Sequence, residues 1–241
     1  MRYRAVLFDL GGTLIEFENS DWLTLGKRGI QNAYPILKHS WPEMPDIQAF
    51  GPSFYQNLRA ILDNERMDNS EFDLYQLCQM IFQRLGYPLT DGVVESFASK
   101  YYQPVTDQIT LIDGADTLLA ELKKNDLIIG LVSNTIFPEE FHRAELARFG
   151  LIGHLDFAIF SSSVKVRKPG KRIFDLALMK AGSAASETMF VGDRYDVDIA
   201  GAKNAGLASV LKYHSQRENP DNVAPDFSIN NLEELGQIIF S

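Results

Sequence analysis

The sequence predicts an α/β fold, a doubly wound parallel sheet with an all-helical segment inserted near its start. Short apolar runs ending at polar residues recur along the chain, and after about residue 109 they alternate with helix-period segments. From roughly Asp21 to Tyr102, by contrast, helix-period segments follow one another with no convincing strand among them. With 241 residues, 45% of them hydrophobic, the chain can bury one full-sized core and has length left for a smaller module.

The first run, Ala5-Val6-Leu7-Phe8, is apolar and stops at Asp9 and a Gly-Gly pair, as a central parallel strand entering a tight loop does. In the helical stretch, Pro42, Pro45, Gly51-Pro52 and Gly86-Tyr87-Pro88 read as breaks. Leu74, Leu77, Cys78, Ile81, Phe82 and Leu85 share one helical face, so Cys78 is core filling rather than a nucleophile. Beyond it the pattern predicts a helix over 115–124, a strand over 127–132 ending at Ser133-Asn134, and a helix over 139–149. A strand over 158–160 then runs into Ser161 to Ser163. Lys168-Pro169 precedes a helix over 171–181, a strand over 189–191 ends at Gly192-Asp193, and a last strand covers 208–211. The expected division is a discontinuous core, residues 1–15 and 109–241, with a helical cap of residues 16–108 between its parts.

Composition narrows the function. A formal charge of −9, from 23 basic and 32 acidic residues, disfavours nucleic acid and anionic membrane surfaces as partners. One cysteine forms no intramolecular disulfide, which fits a reducing, cytoplasmic setting, and the run ending at Leu10 is too short and too broken for a signal peptide or a membrane span. His39, His142, His154 and His214 show no metal-ligand spacing and are expected at the surface or satisfied, outside the chemistry. The oligomeric state, monomer or dimer, is left open.

In open parallel sheets the ligand crevice lies beyond the carboxyl ends of the strands, where Asp9, Ser133, Lys168 and Asp193 can converge. A carboxylate nucleophile, hydroxyl and amide donors, a lysine and an acidic cluster make a phosphoryl-transfer set. Attack by one anion on another needs neutralising charge, which a divalent cation and an ammonium supply. Mg²⁺ takes oxygen ligands, and Asp9, Asp193 and Asp198 offer them.

Four stretches together make the resemblance specific. Phe8-Asp9-Leu10-Gly11-Gly12-Thr13-Leu14 resembles the first motif of the haloacid dehalogenase superfamily, and Leu131-Val132-Ser133-Asn134 the second. Arg167-Lys168-Pro169 resembles the third, and Val191-Gly192-Asp193 through Asp198, with Gly201-Ala202-Lys203-Asn204-Ala205-Gly206, the fourth. The resemblance covers the core, with a Rossmann-like fold, and matches the helical insert only as a cap by position. It implies a hydrolase, a Mg²⁺-dependent phosphatase acting on a phosphorylated small molecule, in which Asp9 attacks phosphorus and becomes a transient aspartyl-phosphate. Ser133 and Lys168 would hold the phosphoryl oxygens, with Asn134 and the amides of Gly12 and Thr13 beside them. The metal would take Asp9, the carbonyl of Gly11, Asp193, and Asp198 directly or through water. Asp198 is alternatively the residue that orients Lys168, and spacing does not separate it from Asp196. Arg194, Ser161 and Ser162 are further candidate pocket contacts.

One position departs from the family. Its phosphatases carry a second aspartate two residues after the nucleophile, and here that position is Gly11. General acid-base help is worth about 10² to 10⁴ in rate, so the expectation is a preference for aryl or acyl phosphates, unless a cap residue or Glu16 replaces the acid. The same glycine admits other readings. One is a haloacid dehalogenase-type C–halogen hydrolase, another is phosphonate cleavage through a cap lysine (Lys27, Lys38 or Lys100), and a third is a non-catalytic regulatory protein keeping the fold.

Overall fold

The computed structural model describes residues 2–64, 67–88 and 92–240. Its centre is a six-stranded, all-parallel sheet in the order β5-β4-β1-β6-β7-β8, formed by β1 (Ala5–Phe8), β4 (Ile128–Ser133), β5 (Phe157–Phe160), β6 (Thr188–Gly192), β7 (Ala208–Lys212) and β8 (Phe227–Ile229). Every residue of β1 is buried, as expected of a strand with neighbours on both sides and layers on both faces. The period-two alternation of side chains divides the core. Val6 and Phe8 join Leu118, Leu122 and Leu235 from α5 (Ala115–Lys124) and α10 (Glu233–Phe240). Leu7 faces the other way, into Ile173 and Phe174 of α8 (Lys171–Ala181) and Ala202 of α9 (Ala200–Asn204). The sheet is therefore wound on both faces, as the sequence predicts. α6 (Glu139–Arg148) and the short α7 (Ser161–Val164) follow β4 and β5.

The inserted segment is helical: α1 (Trp22–Ser40), α2 (Ile47–Asn64), α3 (Leu74–Arg84) and α4 (Val93–Gln108). Asp21 accepts from the Thr24 amide at the start of α1, and Asp73 with Gln76 forms a capping box on α3, so the ends of these helices are written locally. Their apolar stripes meet in a cluster of their own, containing Phe50, Phe54, Phe82 and Phe97. Cys78 is fully buried there, its thiol pushed up by burial, which agrees with its reading as core filling. Gly51-Pro52 does not break a helix: Pro52 lies inside α2. A proline in a helix costs about 3 kcal/mol, and burial of Phe50, Phe54, Leu58 and Ile61 from the same helix outweighs it.

Chain entry and exit of the insert lie side by side. β2 (Ile15–Glu16) pairs antiparallel with β3 (Thr110–Leu111), Ile15 opposite Leu111. The Gln108 amide donates to the Phe17 carbonyl at 2.5 Å, and Asn19 donates to the Gln108 carbonyl at 2.8 Å. Among the described residues, no helix is long and apolar enough to cross a membrane.

Candidate active site

Strand order brings the candidates together. β1 lies between β4 and β6, with Phe8 opposite both Leu131 and Val191, so Asp9, Ser133 and Asp193 emerge side by side at the carboxyl edge. Asp9 prolongs the ladder by donating its amide to the Val191 carbonyl at 2.9 Å. Lys168 arrives from the segment before α8, and Asn134 fixes it there. The Asn134 side chain donates to the Lys168 carbonyl and accepts from the Lys168 amide, each at 2.9 Å. Both ends of the Asn134 amide are thereby occupied by the backbone of the lysine.

The ammonium of Lys168 is 1% exposed and donates to Asp9 Oδ1 at 2.5 Å, with Asp198 Oδ1 at 2.8 Å. Burial works against its charge, but Asp198 and Asp9 outweigh that and raise its pKa. Asp198 reaches the lysine from a π-turn, Tyr195–Ile199, and its second oxygen accepts from the Arg194 amide at 3.0 Å. Gly192 makes this approach feasible, because a Cβ there would stand 2.5 Å from the Asp198 carboxylate. Asp196 points elsewhere, half exposed and paired with Arg194 at 2.8 Å, so geometry separates the two acids that spacing does not. Gly12 has φ +69°, and a Cβ there would lie 2.5 Å from Asp193 Oδ2, so both its backbone and its lack of a side chain are needed.

Asp9, Asp193 and Asp198 each offer an oxygen within 4.8 Å of the others. Burial, above all, lifts Asp9 to about 7, with Lys168 pulling it down and Asp198 and Asp193 adding to the rise. Asp193 stands at about 6, raised first by burial and then by Asp198, against Arg217. Three carboxylates face the Lys168 ammonium and an Arg217 guanidinium that is shared with Glu18, which leaves the site short of positive charge. Asp193 Oδ1 is buried and has no hydrogen-bond partner among the described residues.

These groups line a cavity of about 450 Å³ between the sheet edge and the inserted helices. Asp9, Gly11, Gly12, Ser133, Asn134, Lys168, Arg194, Asp193 and Asp198 border it. Thr13 does not: it is fully buried, and its hydroxyl has no partner among the described residues. Ser161 and Ser162 are also outside the lining, their hydroxyls bonded to the carbonyls of Thr135 and Phe137 behind the loop after β4. Glu16 is off the cavity, joined to His214 at 3.2 Å, and none of Lys27, Lys38 and Lys100 borders it.

Sequence reasoning missed Arg217, Glu18, Phe17 and the cavity position of His142. Arg217 comes from the loop after β7 and donates to Asp193 at 2.5 Å and to Glu18 at 2.8 Å. His142 borders the cavity and is satisfied, between the Thr135 hydroxyl at 2.8 Å and Glu145 at 2.9 Å. An arginine in a polar loop carries no periodic signal, and a histidine on α6 reads like any other helix residue.

The profile of a hydrolase family, the haloacid dehalogenase-like hydrolases, matches residues 3–206. The chain belongs to this family. Over 244 residues this haloacid dehalogenase-like hydrolase is 31% identical to the ribulose-1,5-bisphosphate 5-phosphatase of Halopiger xanaduensis, a match covering 98% of each chain. It is 37% identical over 131 residues to the pyrimidine 5'-nucleotidase YjjG of Escherichia coli, spanning 54% of this chain and 57% of that protein. In fold, the hydrolase resembles the 2-haloacid dehalogenase from Pseudomonas syringae pv. Tomato DC3000, with a TM-score of 0.67 at 22% identity over 99% of this chain and 98% of that one. Relatives in sequence and in fold thus carry different chemistries, and the site must decide between them.

Proposed function

We propose that the chain is a Mg²⁺-dependent phosphoric monoester hydrolase with Asp9 as nucleophile. The observation that carries this reading is the cluster of Asp9, Asp193 and Asp198 within 4.8 Å, anchored on Lys168. A divalent cation fits its surroundings, because Asp193 Oδ1 is buried without a hydrogen-bond partner among the described residues and the donor set is all oxygen. Asp9, Asp193, the Gly11 carbonyl and Asp198, directly or through water, are the groups that would hold it. Bound there, it would neutralise phosphoryl charge and orient the ester.

The other Asp9 oxygen attacks phosphorus, the bond to the leaving oxygen breaks, and that oxygen keeps the electron pair. Lys168 and the Ser133 hydroxyl hold the phosphoryl oxygens, and the amides near Gly12 add donors. Water then attacks the aspartyl-phosphate, releasing phosphate and restoring Asp9. Gly11 brings no acid to the leaving group, and among the described residues no free carboxylic acid or histidine of the lining stands in for it. Glu18 borders the cavity, and although burial raises its pKa, Arg217 more than reverses this and keeps it ionised. His142 is bonded on both nitrogens. Esters that leave without a proton, aryl and acyl phosphates, are therefore the preferred substrates.

The relatives named as phosphatase and nucleotidase support a phosphorylated small molecule as substrate. We assign residues 16–108 as a cap and residues 1–15 and 109–241 as the core, with the β2–β3 pair as the pivot on which the cap closes over bound ester. The test is phosphate release from p-nitrophenyl phosphate with Mg²⁺ and with chelator. Release that needs the metal and is lost in Asp9→Asn supports the reading, whereas metal-independent halide release from 2-haloacids would replace it.

A further inference from the structure

We infer that the part of the cavity lined by the inserted helices is a subsite for a flat, uncharged aromatic ring carried by the substrate, selected by Trp22, Tyr55 and Tyr101. The inference builds on the phosphatase reading but concerns binding rather than leaving-group chemistry. Trp22, the first residue of α1, borders the cavity and is 46% exposed, although a tryptophan ordinarily contributes to a fold by being covered. Its ring lies near-parallel to that of Phe137, another lining residue, with centroids 6.3 Å apart and planes at 23°. Phe137 and a hydrogen bond to Glu18 hold the indole in place, but they leave about half of the residue open at the cavity wall. A ligand face accounts for that open half.

Tyr55 from α2 and Tyr101 from α4 complete the wall, their hydroxyls 3.2 Å apart. One phenol hydrogen serves the bond between them and the other is left to donate to a polar ring edge. Charge sets the rest. Among the described residues, no lysine or arginine from the inserted helices borders the cavity. Its cations, Lys168, Arg194 and Arg217, all come from the sheet side, and each already faces a carboxylate. A second anionic group on the substrate would meet no free counter-charge at this wall, and an unpaired buried charge is costly. An uncharged ring meets apolar faces and one hydroxyl, and the carboxylate nearest Trp22, Glu18, is already paired with Arg217.

Benzylphosphonate and cyclohexylmethylphosphonate separate ring binding from chemistry, because a carbon replaces the ester oxygen and nothing departs. With acetyl phosphate as substrate and Mg²⁺ present, benzylphosphonate is expected to inhibit about fivefold or more tightly, the scale of one or two aromatic contacts. Trp22→Phe should keep that ratio and Trp22→Leu should bring it to one. Both variants lose the hydrogen bond to Glu18, so the Leu-to-Phe comparison isolates the ring, and equal melting temperatures of the two check the fold. Benzylphosphonate should also quench the emission of Trp22, whereas Trp41 is buried against Phe82 and Tyr87. Equal inhibition, a ratio that survives Trp22→Leu, or absent quenching overturns the subsite. Acetyl phosphate left uncleaved overturns the phosphatase reading alone, since the emission of Trp22 still reports whether the ring docks.

Discussion

Arg217 holds Asp193 with its Nε at 2.5 Å and Glu18 with its Nη1 at 2.8 Å, so one guanidinium ties a carboxylate of the acidic cluster to the chain segment that leads into the inserted helices. A cation arriving at Asp193 competes with that arginine. Arg217→Ala is therefore expected to bind Mg²⁺ about tenfold more tightly in calorimetric titration, equivalent to about 1.4 kcal/mol. Without metal it should melt lower than the parent, having lost the partner of a buried acid. Weaker Mg²⁺ binding would mean that Arg217 organises the site instead of competing for it.

At Gly11 the fold tolerates more than the sequence uses. Its φ is not in the left-handed region, and an added Cβ would meet only Phe17, at 3.3 Å from Cδ2. Gly11→Asp should fold and raise kcat on alkyl phosphates by up to about 10²-fold while changing acetyl phosphate little, because only the first leaving group needs a proton. Pairing it with Phe17→Leu, which frees space for the new carboxyl, should raise the alkyl rate further. Equal gains on both ester types would show that proton donation is not what glycine costs.

Lys168 compensates two buried carboxylates, and Asn134 holds its backbone. Lys168→Met is expected to lose about 3–5 kcal/mol of stability, read by urea unfolding, because Asp9 and Asp198 keep their burial without their counter-charge. Asn134→Ala removes two neutral hydrogen bonds and should cost about 1–3 kcal/mol. Its kcat should fall while KM moves less, since the lysine stays charged but drifts from its place.

Asp9 at about 7 and Asp193 at about 6 both start, in the unfolded chain, from the ordinary value of 3.8. Through the window between, the folded chain binds more protons than the unfolded one. Stability of the metal-free protein therefore falls as pH rises across it, and the penalty is fully present above about 7. Asp9→Asn should raise the melting temperature of chelated protein near neutral or higher pH, each 1 kcal/mol giving roughly 2–4 °C, and the gain should shrink toward pH 4. A gain independent of pH would exclude the charge on Asp9 as its source.

What the sequence discloses here follows from what local patterns encode. β1, β4 and β6 are apolar runs stopped by Asp9, by Ser133-Asn134 and by Asp193, and a parallel sheet gathers such ends at one edge, so most of the acidic cluster was legible. β2, β3 and β8 are two or three residues long, too short for any period to register. Ser161 was a candidate pocket contact, yet its hydroxyl turns to the Thr135 carbonyl; whether a hydroxyl faces a ligand or a carbonyl depends on which way a loop turns. Arg217 and Glu18 lie 199 positions apart and meet only because two loops cross the same strand end.

The insert enters at Ile15 and leaves at Leu111, residues that face each other across a two-stranded ribbon. A segment whose ends coincide in space can be lengthened, shortened or replaced without disturbing the register of the sheet that delivers Asp9. What such an exchange alters is the wall the insert contributes to the cavity, Trp22, Tyr55 and Tyr101 among its residues, while Asp9, Ser133 and Asp193 stay where the strand ends put them.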